Sequence, residues 1–122
     1  MCQRVYLTAK EAEREMQEVR NNQGFTGKME TDYVSRMIKD AKRNSMVGDK
    51  LQLVVDPIYI HIPEWQRRIK LARAYSIGNG YNKYKWDVPK VLFHEGKLFV
   101  IDGQHRIFGA FKANMDSVVV EI

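Results

Sequence analysis

Two stretches in residues 1–50 have the hydrophobic spacing of amphipathic helices. In the first, Thr8 and Glu11 fit a capping box, in which each side chain binds the backbone amide of the other residue. The apolar side of this helix consists of Ala9, Ala12, Met16 and Val19. A polar run at 21–24 ends the pattern, and a second helix is predicted from about Thr31 to Asn44. Residues 1–50 are therefore predicted to be an N-terminal helical extension.

From residue 51 the pattern changes to short apolar runs separated by turn residues. Residues 51–55 favour a strand, and residues 58–62 alternate between apolar and polar positions, which predicts a half-buried strand. Pro63 suits the first position of a helix. The apolar side of that predicted helix consists of Trp65, Ile69, Ala72 and Tyr75. We expect the helix to end at Gly78.

The last third of the chain begins with a predicted hairpin. Its strands cover residues 88–94 and 97–101, and Glu95-Gly96 forms a two-residue turn between them. A helix and a closing strand at 117–122 follow. The resulting order predicts an α+β domain over residues 51–122, in which helices pack on a small mixed β-sheet.

The junction between the second hairpin strand and the next helix carries the strongest chemical signal. A helix N-terminus has unpaired backbone amides and a partial positive charge, so the amides of Gln104 to Arg106 are predicted to attract an anion. Gly103 would let a ligand approach the backbone, and His105 and Arg106 add side-chain donors. In the alternative interpretation, Asp102 only caps the helix and Arg106 is an ordinary surface residue.

Composition narrows the class of protein without naming a function. The chain has 122 residues, of which 44% are hydrophobic and 29% charged, so we expect one globular unit of ordinary size. No apolar run approaches the ~20 residues that span a bilayer, and we expect a cytoplasmic protein with no membrane partner. The single cysteine, Cys2, excludes an internal disulfide. The histidines are scattered, and no metal site is predicted.

The net charge of +5 favours anionic partners. Four basic residues follow closely on one another in the predicted third helix: Arg67, Arg68, Lys70 and Arg73. Lys83 and Lys85 lie among aromatic residues in the irregular stretch 78–87. These six side chains are candidate contacts to a DNA backbone, because lysines and aromatics together neutralise phosphates and stack bases. The alternative is a solvated basic surface, with the aromatics of the loop folded over the core edge.

Residues 102–106, Asp-Gly-Gln-His-Arg, resemble a motif of the ParB/sulfiredoxin superfamily. The match is to the branch of prokaryotic and phage proteins linked to DNA modification and defence. Gln66-Arg67 resembles the polar pair that precedes the first helix of such domains. The resemblance covers about residues 51–122 and does not extend to the N-terminal extension.

The resemblance implies a site for nucleotide phosphate, with CTP or ATP and Mg²⁺ as the expected ligands. By position, Arg106 would contact phosphate with Gly103, Gln104 and His105 beside it, and Arg67 would supply a second charge. Sulfiredoxins have a catalytic cysteine where this chain has Gln104, so reduction of a sulfinic acid is not expected. Arginine is usual in ParB proteins at the position of His105, so phosphate binding here is expected to be weaker or dependent on pH.

Two classes of function remain open at this point. The first is a ParB-like domain that binds a nucleotide or phosphate in a DNA-associated process such as partition, regulation of DNA modification or phage defence. Weak NTP hydrolysis would need carboxylates, for which Asp102 and Glu64 are candidates and Gln66 an auxiliary residue. The second is a non-catalytic module that binds the DNA backbone, and nuclease activity is a weaker alternative. The sequence is compatible with a monomer or a homodimer.

Overall fold

The computed structural model describes residues 5–44, 51–79 and 87–122. The chain has an α+β fold, as predicted. Its α-helices are α1 (Ala9–Asn22), α2 (Gly27–Asn44), α3 (Leu71–Asn79) and α4 (Gln104–Lys112). Its strands are β1 (Tyr6–Leu7), β2 (Gln52–Val55), β3 (Ile60–His61), β4 (Ile69–Lys70), β5 (Lys90–His94), β6 (Lys97–Asp102) and β7 (Val118–Glu121).

Five of the strands form one mixed sheet in the order β2-β7-β5-β6-β3. The pairs β2–β7 and β5–β6 are antiparallel, whereas β5–β7 and β3–β6 are parallel. The sheet therefore agrees with the small mixed sheet expected for residues 51–122. Strand β6 lies inside the sheet, between β5 and β3. Its carboxyl end leads directly into α4.

The two N-terminal helices form where the sequence predicts them. Thr8 and Glu11 make both hydrogen bonds of the capping box, each at 3.1 Å, which confirms the predicted start of α1. Helix α2 begins at Gly27, one turn before the predicted start at Thr31. The hydroxyl of Thr26 accepts a hydrogen bond from the amide of Met29 and stabilises this extra turn.

Residues 57–70 differ most from the prediction. The expected alternating strand is a 3₁₀ helix at Pro57–Tyr59 followed by β3, and His61 is buried like its apolar neighbours. The helix expected from Pro63 is also wrong, because a turn follows and residues 69–70 form β4, which pairs with β1. Helix α3 starts only at Leu71, and Trp65, expected on a buried side, is 68% exposed.

The hairpin of β5 and β6 turns at Glu95 and Gly96, as predicted. Both residues have positive φ, 51° and 80°, which is the backbone of a type I′ turn. A Cβ on Gly96 would lie 2.5 Å from the hydroxyl of Thr31, so the tip of the hairpin packs directly against α2. The N-terminal extension is thus in contact with the sheet.

One hydrophobic core joins the helices of residues 1–50 to the sheet that follows. Its fully buried members come from both parts of the chain and include Ala12, Met16, Val34, Ile60, Leu98, Val100, Ile107, Phe108 and Val120. Helix α3 packs against α4, and α2 packs on β2 and β6. The boundary at residue 50 stays a prediction, since both sides of it share this core. Within the described residues, no helix has both the length and the apolar character needed to cross a membrane.

Candidate functional site

A cleft of about 510 Å³ lies at the start of α4, where the predicted anion site was placed. One wall is the segment that leads into α3, and the other is the junction of β6 with α4. Its lining residues are Trp65, Gln66, Arg67, Arg73, Ile101, Asp102, Gly103, Gln104, His105 and Arg106. The fold therefore brings together both parts of the sequence on which the predicted site depends.

Gly103 is the N-cap of α4, and its φ of 95° is in the left-handed region that favours glycine. A Cβ at this position would lie 2.9 Å from the Cβ of Pro89. The glycine is therefore required by its own backbone conformation and by close packing of the protein, whereas the sequence interpretation assigned it to close approach of a ligand. Asp102 does not cap the helix, because α4 has no side-chain cap. Asp102 is exposed and lines the cleft instead.

The backbone amides in the first turn of α4 differ in whether a group of the protein already accepts a hydrogen bond from them. The amide of Arg106 donates to the carbonyl of Gly103 at 3.0 Å, and the same carbonyl accepts from Ile107 at 3.2 Å. The prediction of a free amide at Arg106 is therefore wrong. The amides of Gln104 and His105 have no hydrogen-bond partner within the described residues. These two amides retain the capacity to bind an anion.

The guanidinium group of Arg106 is partly buried at the edge of the cleft and pairs with a carboxylate of the protein. Its Nη2 lies 3.0 Å from Oδ2 of Asp87. The Arg106 side chain is 25% exposed, whereas that of Asp87 is 83% exposed. A carboxylate thus already binds the arginine that was expected to meet phosphate.

His105 is held in its neutral form by its surroundings. Its Nε2 accepts a hydrogen bond from the backbone amide of Lys70 at 3.0 Å, so the ring proton lies on Nδ1. Burial lowers the pKa of His105, and the charges of Arg73 and Arg106 lower it further. The neutral ring contributes to the site one N–H donor on Nδ1 and no charge.

Two glutamine side chains connect the walls of the cleft. Nε2 of Gln104 donates to the carbonyl of Arg67 at 2.7 Å, and Nε2 of Gln66 donates to the carbonyl of Val100 at 2.9 Å. Gln104 is only 5% exposed, and its buried Oε1 has no hydrogen-bond partner in the part of the chain that the structure describes. Gln104 was predicted as a ligand contact and Gln66 as an auxiliary residue. The structure shows that both side chains fix the segment at 66–67 against β6 and α4.

The basic residues after Pro63 are distributed differently from the prediction. Arg67 lines the cleft from a segment that is not helical, and Arg73, expected only as a DNA contact, lines the same cleft from α3. Arg68 lies over the ring of Tyr6, 4.9 Å from its centroid. Lys70 is exposed on β4, and Glu64 is exposed outside the cleft. Lys83 and Lys85 lie outside the described residues.

A second polar cluster, missed by the sequence interpretation, joins α1 and α2 to β3. Nδ1 of His61 lies 2.7 Å from Glu13, and its Nε2 lies 2.6 Å from Glu30. Arg20 is 2% exposed; it bonds Glu13 at 2.6 Å and also donates to the carbonyls of Ile58 and Ile60. Two acidic and two basic side chains therefore satisfy one another in this cluster.

Burial raises the pKa of Glu13, but the hydrogen bond from His61 and the charges of Arg20 and His61 outweigh burial and leave the pKa below its ordinary value. A signal for this cluster was present in the sequence. Glu13 and Arg20 are in phase with the apolar residues Ala9, Ala12 and Met16, and a charged side chain on a buried stripe needs a partner.

The described residues contain no group of three or more His, Cys, Asp or Glu side chains placed to hold a metal ion. Comparisons of the chain with protein-family models, with curated proteins and with solved structures find no match. The features that indicate a function are therefore the chemistry of the cleft and the motif at residues 102–106.

Proposed function

We propose that this chain is a ParB/sulfiredoxin-like domain that binds a nucleoside triphosphate, CTP or ATP with Mg²⁺, in the cleft at the start of α4. The observation that carries the proposal is the convergence of Arg67, Arg73 and Arg106 on the N-terminus of one helix. The cellular setting is inferred from the motif alone, and it is a DNA-associated process such as partition, regulation of DNA modification or phage defence.

The charge balance of the cleft supports an anionic ligand. Three guanidinium groups line it, against the carboxylate of Asp102 in its wall and that of Asp87 at its edge. Guanidinium groups are always charged and bind phosphate through paired N–H donors. The amides of Gln104 and His105, which no other described residue accepts from, add two more donors at the positive end of the helix dipole. A polyphosphate matches this set of donors better than a single monoanion does.

Trp65 supports a nucleotide rather than an inorganic polyphosphate as the ligand. Its side chain lines the cleft and is 68% exposed, which is unusual for so large an apolar surface. An exposed indole ring beside a phosphate site is a suitable surface on which a base stacks.

The proposal concerns binding and does not include a hydrolytic mechanism. Hydrolysis of a triphosphate requires a positioned metal ion and water. Asp102 lines the cleft, but Glu64, the second carboxylate considered, does not. Slow hydrolysis would therefore depend on metal ligands that the phosphates themselves supply.

A thermal-shift experiment tests the proposal. CTP, ATP, GTP and tripolyphosphate are each added with and without Mg²⁺, since a ligand at ~100 times its Kd stabilises the folded state by about 2.7 kcal/mol. We expect CTP or ATP to raise the Tm of the wild type. Arg106→Ala should lose most of this shift and keep its ligand-free Tm near the wild-type value. Arg36→Ala, a matched change on the exposed surface of α2, should retain the shift.

A DNA-backbone module is the second candidate, and one observation favours it. Arg67, Arg68 and Lys70 are exposed side chains in the short segment that leads into α3, and Arg73 follows on α3. Binding of random duplex DNA through these residues would fall steeply with salt, because each phosphate contact releases counterions. Duplex binding with that salt dependence, together with no nucleotide shift, would replace the first proposal with the second.

A further inference from the structure

Residues 87–89 cross the start of α4 and contact it at two points. Asp87 pairs with the guanidinium group of Arg106 at 3.0 Å. Pro89 is buried and packs against Gly103. It takes up the space that a Cβ on Gly103 would need. We name residues 87–89 the strap, because this short segment holds a carboxylate of the protein at the arginine of the cleft.

The two ends of the strap differ in how firmly they are held. The carbonyl of Pro89 accepts a hydrogen bond from the amide of Glu121 at 2.9 Å, so this end is tied to β7. Asp87 is 83% exposed, and among the described residues its ion pair is with Arg106. Rotation of the Asp87 side chain therefore releases Arg106 without disturbing the sheet or the core.

The carboxylate of Asp87 is chemically similar to the ligand proposed for the cleft. A carboxylate and a phosphate both present oxygen pairs that accept from a guanidinium group. Because the strap is covalently tied beside Arg106, its carboxylate competes at an effective concentration in the millimolar range or above. An external anion that uses the same Nη2 donor of Arg106 has to displace this carboxylate.

We infer that Asp87 is a built-in competitor that occupies Arg106 until a ligand with more than one anionic group displaces it. The inference rests on the proposed function and deepens it by naming the ligand class. A monoanion that displaces Asp87 only exchanges one anionic partner of Arg106 for another, so it gains little binding free energy. A polyphosphate also reaches Arg67 or Arg73, and those contacts provide the additional free energy.

Isothermal titration calorimetry at low salt tests the inference with tripolyphosphate and orthophosphate as probes. We compare the wild type with Asp87→Asn, which removes the competing charge and keeps the shape of the side chain. Exposed ion pairs contribute about 0.2–1 kcal/mol, so Asp87→Asn should bind tripolyphosphate roughly 1.4- to fivefold more tightly. Orthophosphate should bind the wild type far more weakly than tripolyphosphate does.

Two control variants separate release of the ion pair from a simple change of charge. Asp102→Asn removes a negative charge from the wall of the same cleft, and Asp40→Asn removes one from the exposed surface of α2. The gain of Asp87→Asn should exceed the gain of either control. An equal or smaller gain overturns the inference while leaving the proposed function intact, and so does orthophosphate binding as tight as that of tripolyphosphate. Absence of tripolyphosphate binding in both the wild type and Asp87→Asn overturns the inference and the proposed function together.

Discussion

The surroundings of His61 and His105 differ in whether positive charge is matched by negative charge. Both ring nitrogens of His61 meet carboxylates, those of Glu13 and Glu30, within 2.7 Å. His105 instead accepts from a backbone amide and lies near two arginines, whose charges help to lower its pKa. The same residue type is thus part of a closed, neutralised cluster in one place and of an open, positively charged cleft in the other.

This contrast distinguishes structural polar groups from candidate binding groups. A buried ionic cluster whose members satisfy one another holds elements together and leaves no donor for a ligand. Where basic side chains converge and the carboxylates are too few to pair with all of them, some donors stay available to a ligand. The cluster around His61 therefore joins α1 and α2 to β3, whereas the cleft around His105 is the site at which we propose that an anion binds.

The largest expected effect comes from breaking the closed cluster with Arg20→Met. The change removes the side-chain donor to the carbonyls of Ile58 and Ile60 and one of the two basic partners of Glu13. Removal of one partner from a buried ion pair destabilises by about 3–5 kcal/mol. Urea-induced unfolding measures the loss, and the matched control Arg14→Met on the exposed side of α1 should stay within about 0.5 kcal/mol of the wild type. Similar losses in the two variants would show that the cluster does not stabilise the fold.

Gly103→Ala is expected to have an intermediate effect, at the cleft. Alanine is strained at a φ of 95°, and its Cβ would press against Pro89, so we expect a loss of about 1–3 kcal/mol. The loss should appear in thermal unfolding without any ligand, because both causes lie within the protein. Gly27→Ala is the control, since a Cβ there meets nothing within 4 Å. A variant with full stability and no nucleotide binding would restore the interpretation that Gly103 serves a ligand.

The smallest expected effects are changes of stability with pH. They distinguish the cleft from the cluster around His61, because the two regions titrate in different pH ranges. The pKa of His105 is below its ordinary value of 6.5, so the unfolded chain takes up a proton at this residue before the folded chain does. The wild type should therefore lose stability as the pH falls below 6.5. His105→Gln, which can still accept from the Lys70 amide, should lack this part of the pH dependence in calorimetric scans.

The second pH range is set by Glu13, whose pKa in the folded chain lies below its ordinary value of 4.5. Its stabilising contribution is present above pH 4.5 and is lost as the pH falls from there through the lowered pKa. The stability difference between the wild type and Glu13→Gln should therefore narrow only below pH 4.5. A difference that already narrows near pH 6.5 would contradict the separation of the two regions.

Local signals in the sequence predicted the elements that depend on neighbouring residues. The capping box at Thr8, the hairpin turn at Glu95-Gly96 and the strand–turn–helix at 101–106 each depend on residues within one turn of one another. The same locality explains why the residues predicted to bind an anion lie together at one strand–helix junction, where they line a cleft. That an anion binds there stays a prediction. Arg67 was also assigned to the cleft, although from a helix that the structure does not contain.

The errors lie where distant segments decide the structure. Pro63 fits the start of a helix locally, but residues 69–70 pair with β1, and Gln66 binds the carbonyl of Val100. These contacts join residues more than 30 positions apart, so local propensity does not reveal them. The cluster around His61 was missed for the same reason, because its members come from three separate elements.

Three side chains of the cleft form hydrogen bonds with the backbone: those of Gln66, Gln104 and His105. These bonds have a thermodynamic consequence. They fix both sides of the cleft before any ligand arrives, so association should require little ordering of the chain. The backbone of free and occupied protein should superimpose within about 1 Å. A preformed receptor of this kind loses little conformational entropy on association, and the entropic term of binding should be dominated by released water and counterions.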